Sequence, residues 1–150
     1  METCVIDQVV EHAQKISRGE HDKVRPGMPL RISEAAVVGE FVWQGDLKLT
    51  VVDRVPDGFQ AAEAFCQLVP GNTVGARHCL DSVDGVEMYV PSGWGPKYEG
   101  LVGPYLVLHA ERTIKHPKHG PVTSPAGMII QCSYARVWDA EQARERRTRD

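Results

Sequence analysis

The sequence predicts a mainly β protein, a single-domain β-sandwich or small barrel with an N-terminal amphipathic helix and a short C-terminal helix. Three observations carry that expectation. Short runs rich in Val and aromatic residues recur at spacings of roughly ten residues, the rhythm of sandwiches and barrels. Turn signals divide them at Gln44-Gly45-Asp46, Pro56-Asp57-Gly58, Pro70-Gly71-Asn72 and Asp84-Gly85. From residue 36 the apolar period is that of strands, whereas the segment before it has the period of a helix.

A chain of 150 residues can bury roughly two thirds of its unfolded surface, so one domain is expected. Hydrophobic residues make up 42%, charged residues 25%, and the net charge is -3. No global field therefore draws the protein to nucleic acid or to an anionic membrane. No stretch approaches the roughly 18 apolar residues of a membrane span and no basic-then-apolar leader opens the chain, which predicts a cytoplasmic protein. Cys4, Cys66, Cys79 and Cys132 lack the close pairs of zinc ribbons and are read as reduced thiols, with a Cys66–Cys79 disulfide as the alternative.

The chain divides into a helix over 1–18, a linker-like stretch over 19–35, a β body over 36–138 and a charged tail over 139–150. In the helix, Val5, Ile6, Val9, Val10, Ala13 and Ile16 share one side, with Thr3 and Gly19 as caps. It would cover an edge of the protein's own sheet or dock on a partner. The next stretch, charged and rich in Pro and Gly, holds no regular element for long.

In the β body, 36–43 and 47–52 form a hairpin, with Leu47, Leu49 and Val51 on its buried face. Residues 59–69 read as a loop or short helical turn followed by a strand, and 74–80 as a further strand. Asp84-Gly85 between Val83 and Val86 signals a tight hairpin, because both residues accept positive φ. Residues 91–100 make a glycine-rich loop bearing Trp94 and Tyr98; 101–111 form the most apolar strand, with Pro104 at its start; 128–134 form the last. Asp139-Ala-Glu-Gln142 has capping-box spacing ahead of an Arg-rich tail, read as a short solvated helix rather than a nucleic-acid contact.

Chemistry concentrates in the histidines. His116 and His119 flank Pro117, which excludes a helical clamp but lets a turn aim both rings at one point. With His78 from a neighbouring strand they would make a three-imidazole metal site, for zinc or iron, with an open position for water. Glu87, Glu111 or Asp81 would serve as base or fourth ligand. In the bland alternative these rings are hydrogen-bonded spacers. Cys79 and His78 are strand neighbours and point to opposite faces, and Ser124 lies in no nucleophile-elbow pattern, so no catalytic residue is assigned.

Three pieces taken together carry a resemblance: Gln44-Gly-Asp-Leu-Lys-Leu with Val52-Asp-Arg-Val-Pro-Asp-Gly58, then Gly71-Asn-Thr-Val-Gly-Ala-Arg-His78, then His116-Pro-Lys-His-Gly-Pro-Val-Thr-Ser-Pro-Ala-Gly127 with Gln131 and Tyr134. Over residues 43–139 the chain resembles a group of small, uncharacterised bacterial proteins. The resemblance implies a compact β domain and nominates His78, His116 and His119 as a set; it implies no activity. Where the pattern has Gly-His-x-His, this chain has Ala76 and only His78, which removes one ligand.

Two functions follow as expectations. In the first, the protein is a binding or assembly module, self-associating or contacting a protein or small ligand, with Trp94, Tyr98, His109 and Glu111 facing the ligand. In the alternative, it is a metal-dependent or general acid–base enzyme with His78, His116 and His119 lining a pocket in a barrel mouth.

Overall fold

The structure, a computed structural model, describes residues 28–71, 77–139 and 144–147. The helix expected over residues 1–18 lies outside them. Among the described residues there is no helix, and none therefore is long and apolar enough to cross a membrane.

The described residues form twelve strands in three sheets. They are β1 (Leu30–Arg31), β2 (Phe41–Gln44), β3 (Leu47–Val52), β4 (Gln60–Ala62), β5 (Cys79–Leu80), β6 (Val86–Val90), β7 (Val102–Leu108), β8 (Arg112–Lys115), β9 (Val122–Ser124), β10 (Ile129–Tyr134), β11 (Arg136–Asp139) and β12 (Arg144–Arg147). The large sheet runs β2-β3-β10-β7-β6-β4 and the smaller one β1-β9-β8-β5. Both contribute to a single core: Val42, Leu47, Leu49, Met88, Leu106 and Ile130 from the first meet Leu80, Ile114 and Val122 from the second. The sheets stay open, so the barrel alternative is not realised; β2 and β4 remain edges of the large sheet.

The alternation read in 47–52 is reproduced residue by residue. Leu47, Leu49 and Val51 are buried while Lys48, Thr50 and Val52 are half-buried, and Gln44 pairs with Leu47 across the Gly45-Asp46 turn. The closing strand also forms as expected, and β10 inserts between β3 and β7. The stretch 30–32, within the linker-like segment, is incorporated into the body: Leu30 and Arg31 pair in parallel with Val122 and Thr123, and Ile32 is buried in the core.

Four expectations change. Asp84-Gly85 does turn, with Val86 N–H donating to Val83 O at 3.1 Å and Gly85 at φ 72°, but it joins no hairpin. β5 pairs with β8 while β6 pairs with β7 and β4, so the turn carries the chain from one sheet to the other. Local turn chemistry sets the reversal and core packing chooses the partners. Within 59–69 the order is inverted: the strand, β4, comes first, and 65–69 is irregular with one bridge between Gln67 and Cys79.

Pro104 is not at the start of its strand but inside central β7. It is tolerated because Gln131 pairs with Tyr105 and Ser133 with Val102, leaving Gly103 and Pro104 opposite Cys132 alone. That is a β-bulge, where a missing N–H costs no ladder bond. Finally, the tail is not helical where it is described: Arg144–Arg147 pairs antiparallel with Arg136–Asp139. A helix of so few residues would recover little of its nucleation cost, whereas an adjacent extended strand offers a ladder at once.

Candidate functional site: an aromatic cleft beside a buried histidine cluster

Segment 65–71 runs between two groups of side chains. On one side its backbone is tied to the strand after His78: Leu68 N–H donates to His78 O at 2.8 Å and Leu80 N–H donates to Cys66 O at 2.9 Å. Tyr134 fixes it from beneath, its hydroxyl donating to Leu68 O at 2.8 Å. Gln67 Nε2 then donates to Val69 O at 2.8 Å and Gly71 O at 2.6 Å, folding the chain back on itself. An isolated bridge pairs Gln67 with Cys79, which brings Cys66 and Cys79 onto adjacent segments. Both are free.

The glycine-rich loop folds against this segment. Phe65 and Trp94 stack with ring centroids 5.7 Å apart and planes at 22°, and Trp94 meets Tyr98 at 5.2 Å and 52°. Turn hydrogen bonds hold the loop: Trp94 N–H donates to Pro91 O at 3.2 Å, Tyr98 N–H to Gly95 O at 3.0 Å, and the Tyr98 hydroxyl to Val102 O at 2.7 Å. The result is a cleft of about 200 Å³ between Phe65, Gln67, Pro70, Trp94 and Pro96, with no charged residue in its wall among the described residues. Trp94 and Tyr98 were legible in the sequence as loop aromatics. Phe65 and Gln67 were missed because their segment gave no clear period.

His109 and Glu111, expected in the same set, lie elsewhere. They follow the far end of β7, whose seven residues at about 3.3 Å each separate them from Tyr98 by roughly 20 Å. His109 Nε2 lies 2.8 Å from Glu87 Oε2, with both side chains more than half exposed. Glu111 pairs with Arg31 across the surface.

The other side of the segment is a cluster of imidazoles. His78 is fully buried and His116 nearly so; the ring of His116 lies 4.4 Å from that of His78 and 4.5 Å from that of half-buried His119. The Gln-Gly-Asp turn, read in the sequence only as a turn, supplies what holds them. Gln44 Nε2 donates to Ile114 O at 2.8 Å and Gly120 O at 3.0 Å, so its Oε1 must be the acceptor 2.8 Å from His78 Nδ1. Nδ1 therefore carries a hydrogen. The other nitrogen, Nε2, lies 3.0 Å from Asp46 Oδ1, where a lone pair facing a carboxylate would repel. His78 is thereby held by Gln44 through one ring nitrogen and by Asp46 through the other, a bridge between two sheet ends.

The fold brings the rings of His78, His116 and His119 together. Three of their nitrogens are engaged in hydrogen bonds: both of His78 as above, and His116 Nδ1 by Lys118 N–H at 3.0 Å. A metal needs lone pairs aimed at one point, and among the described residues no group of three or more His, Cys, Asp or Glu side chains could hold a metal ion.

Burial raises the Cys132 thiol far above its ordinary value, and burial followed by the neighbouring Cys66 raises that of Cys79. Neither is an activated nucleophile.

A family model described as a domain of unknown function, DUF8820, matches residues 43–132, which include Gln44, Asp46, His78, Trp94, His116 and His119. No curated protein and no solved structure matches the chain.

Proposed function

Because the chain belongs to this domain family of unknown function, we propose from geometry that it is a binding module whose recognition site is the Phe65–Trp94 cleft. One observation carries the reading. The stacked rings of Phe65 and Trp94 line a cleft open to solvent, while Phe65 and Tyr98 also pack against the core and Tyr98 lies tilted on Trp94. Rigid aromatic faces beside a few fixed polar groups are the usual make-up of a recognition surface. The histidine cluster, in this reading, is the scaffold that fixes 77–80 and through it the floor of the cleft.

The test is a fragment and peptide screen by thermal shift and calorimetry, run on wild type and Trp94→Ala. Ligands that bind wild type and lose at least tenfold in affinity with Trp94→Ala, at unchanged melting temperature of the free protein, support the reading. Ligands that bind both proteins equally place recognition elsewhere and overturn it.

A further inference from the structure

We infer that Cys66 and Cys79 form an oxidation site, in which a hydroperoxide converts the two thiols to a disulfide joining segment 65–71 to β5. The inference is independent of what the cleft binds. Three observations support it.

The first is register. Leu68 N–H donates to His78 O at 2.8 Å and Leu80 N–H to Cys66 O at 2.9 Å, and these two bonds bracket the bridge between Gln67 and Cys79. A pair bracketed in this way is the close, non-hydrogen-bonded kind, with Cα atoms about 4.5 Å apart. One residue of rise further along, about 3.4 Å, sets the Cys66 Cα roughly 6 Å from that of Cys79. A disulfide spans about 4.4–6.8 Å between Cα atoms, so the two backbones already stand at a suitable separation.

The second is side-chain direction. In a regular ladder Cys66 would share the face of Leu80 and oppose that of Cys79, and the thiols would not meet. Here the bridge is isolated and Cys66 lies in a bend outside any strand. Leu80 is buried while Cys66 is exposed, so Cys66 has left the core face for the side on which Cys79 is half-buried. The electrostatics agree: after burial, it is the neighbouring Cys66 that raises the Cys79 thiol, which requires the two sulfurs to lie near each other.

The third is selectivity. Cys132 is fully buried on β10, between β3 and β7, where an oxidant has no access. Exposed Cys66 is open to attack, and half-buried Cys79 is the neighbour able to resolve it.

The chemistry balances. The Cys66 thiolate attacks one oxygen of the hydroperoxide, the O–O bond breaks, and the other oxygen leaves as an alcohol, or as water when the oxidant is hydrogen peroxide. Cys66 is then a sulfenic acid. The Cys79 sulfur attacks that sulfur, the S–O bond breaks, and water leaves with the Cys79 proton. Two thiols have lost two electrons and two protons, and the peroxide has been reduced. The bond pins the residue between Phe65 and Gln67, both of which line the cleft.

The experiment exposes the reduced full-length protein to a few equivalents of hydrogen peroxide, quenches with an alkylating agent, and maps the cysteines by mass spectrometry without reduction. Cys79→Ser and Cys4→Ser variants accompany wild type. The expected result is loss of two thiols per chain and a linked peptide pair containing Cys66 and Cys79, reversed by dithiothreitol and formed equally in Cys4→Ser. In Cys79→Ser, Cys66 should halt as the sulfenic acid, captured by dimedone at least tenfold more than in wild type. The inference is overturned if wild-type Cys66 advances to sulfinic acid while Cys79 stays alkylatable, or if Cys66 pairs instead with Cys4 or with a second chain. It is overturned equally if wild type keeps all its thiols at peroxide levels that oxidise free cysteine.

Discussion

Replacing Gly103 with alanine tests how the core positions the floor of the cleft. Gly103 sits in the bulge of β7, and a Cβ there would stand 2.7 Å from Tyr134 Cζ and 3.2 Å from Cε2. Carbon atoms settle at about 3.5–4.0 Å, so the ring has to move. It has little room, because Tyr134 is 4% exposed and its hydroxyl is committed to Leu68 O at 2.8 Å.

Overpacking of this kind costs about 1–3 kcal/mol. Displacing the hydroxyl adds about 1 kcal/mol or more for a buried carbonyl left unpaired. The expected loss is about 2–4 kcal/mol, a fall in melting temperature of roughly 5–15 °C for a chain of this length. Urea unfolding measures it, with an unchanged m-value showing that compactness is retained. Tyr134→Phe removes the atom that a new Cβ would meet most closely, so Gly103→Ala should cost less in that background, with a coupling near 1 kcal/mol. A Gly103→Ala protein within about 0.5 kcal/mol of wild type, or fully additive costs in the double variant, would refute the reasoning.

Gln44→Ala should destabilise by about 3 kcal/mol or more by urea unfolding, since it strands the Ile114 and Gly120 carbonyls and the His78 Nδ1–H together. Gln44→Glu should be no milder, because it replaces the two donated bonds with a carboxylate facing two carbonyls. In timed alkylation with peptide mapping, exposed Cys66 should react first, Cys79 more slowly, and buried Cys132 only on unfolding. The buried Cys132 thiol has its folded pKa raised, so its contribution to stability is complete below the ordinary thiol pKa. It declines as pH rises above about 8.5, where the unfolded thiol ionises and the folded one does not. Cys132→Val should flatten that alkaline decline in pH-dependent unfolding. His109→Ala and Glu111→Ala should leave both cleft binding and melting temperature unchanged, since exposed ion pairs contribute little.

Much of the fold was legible where the pattern is local. The alternation at 47–52, the two-residue turn before it and the closing strand at 129–134 are all set by side-chain period and turn chemistry. What the sequence could not show is which strands pair. Asp84-Gly85 has every feature of a hairpin turn, yet the strands it joins belong to different sheets, because long-range packing of Leu80 and Val86 decides their partners.

The site was legible in halves. Trp94 and Tyr98 stood out as aromatics in a glycine-rich loop, and the three histidines named together in the sequence have neighbouring rings in the fold. Their supports, Gln44 and Asp46, hid inside an ordinary turn, and Phe65 and Gln67 lay in a segment without period. His109 and Glu111 were misplaced because sequence proximity to Tyr98 says nothing about the length of the strand between them.

The central claim, that the cleft is the recognition site, is tested most directly by amide and indole chemical-shift mapping of the full-length protein during titration with the tightest ligand from the fragment and peptide screen. The account predicts that shifts concentrate in residues 65–71 and 93–98 and include the Trp94 indole N–H. Shifts centred instead on 116–120 or 109–111, with the Trp94 indole unmoved, would contradict it.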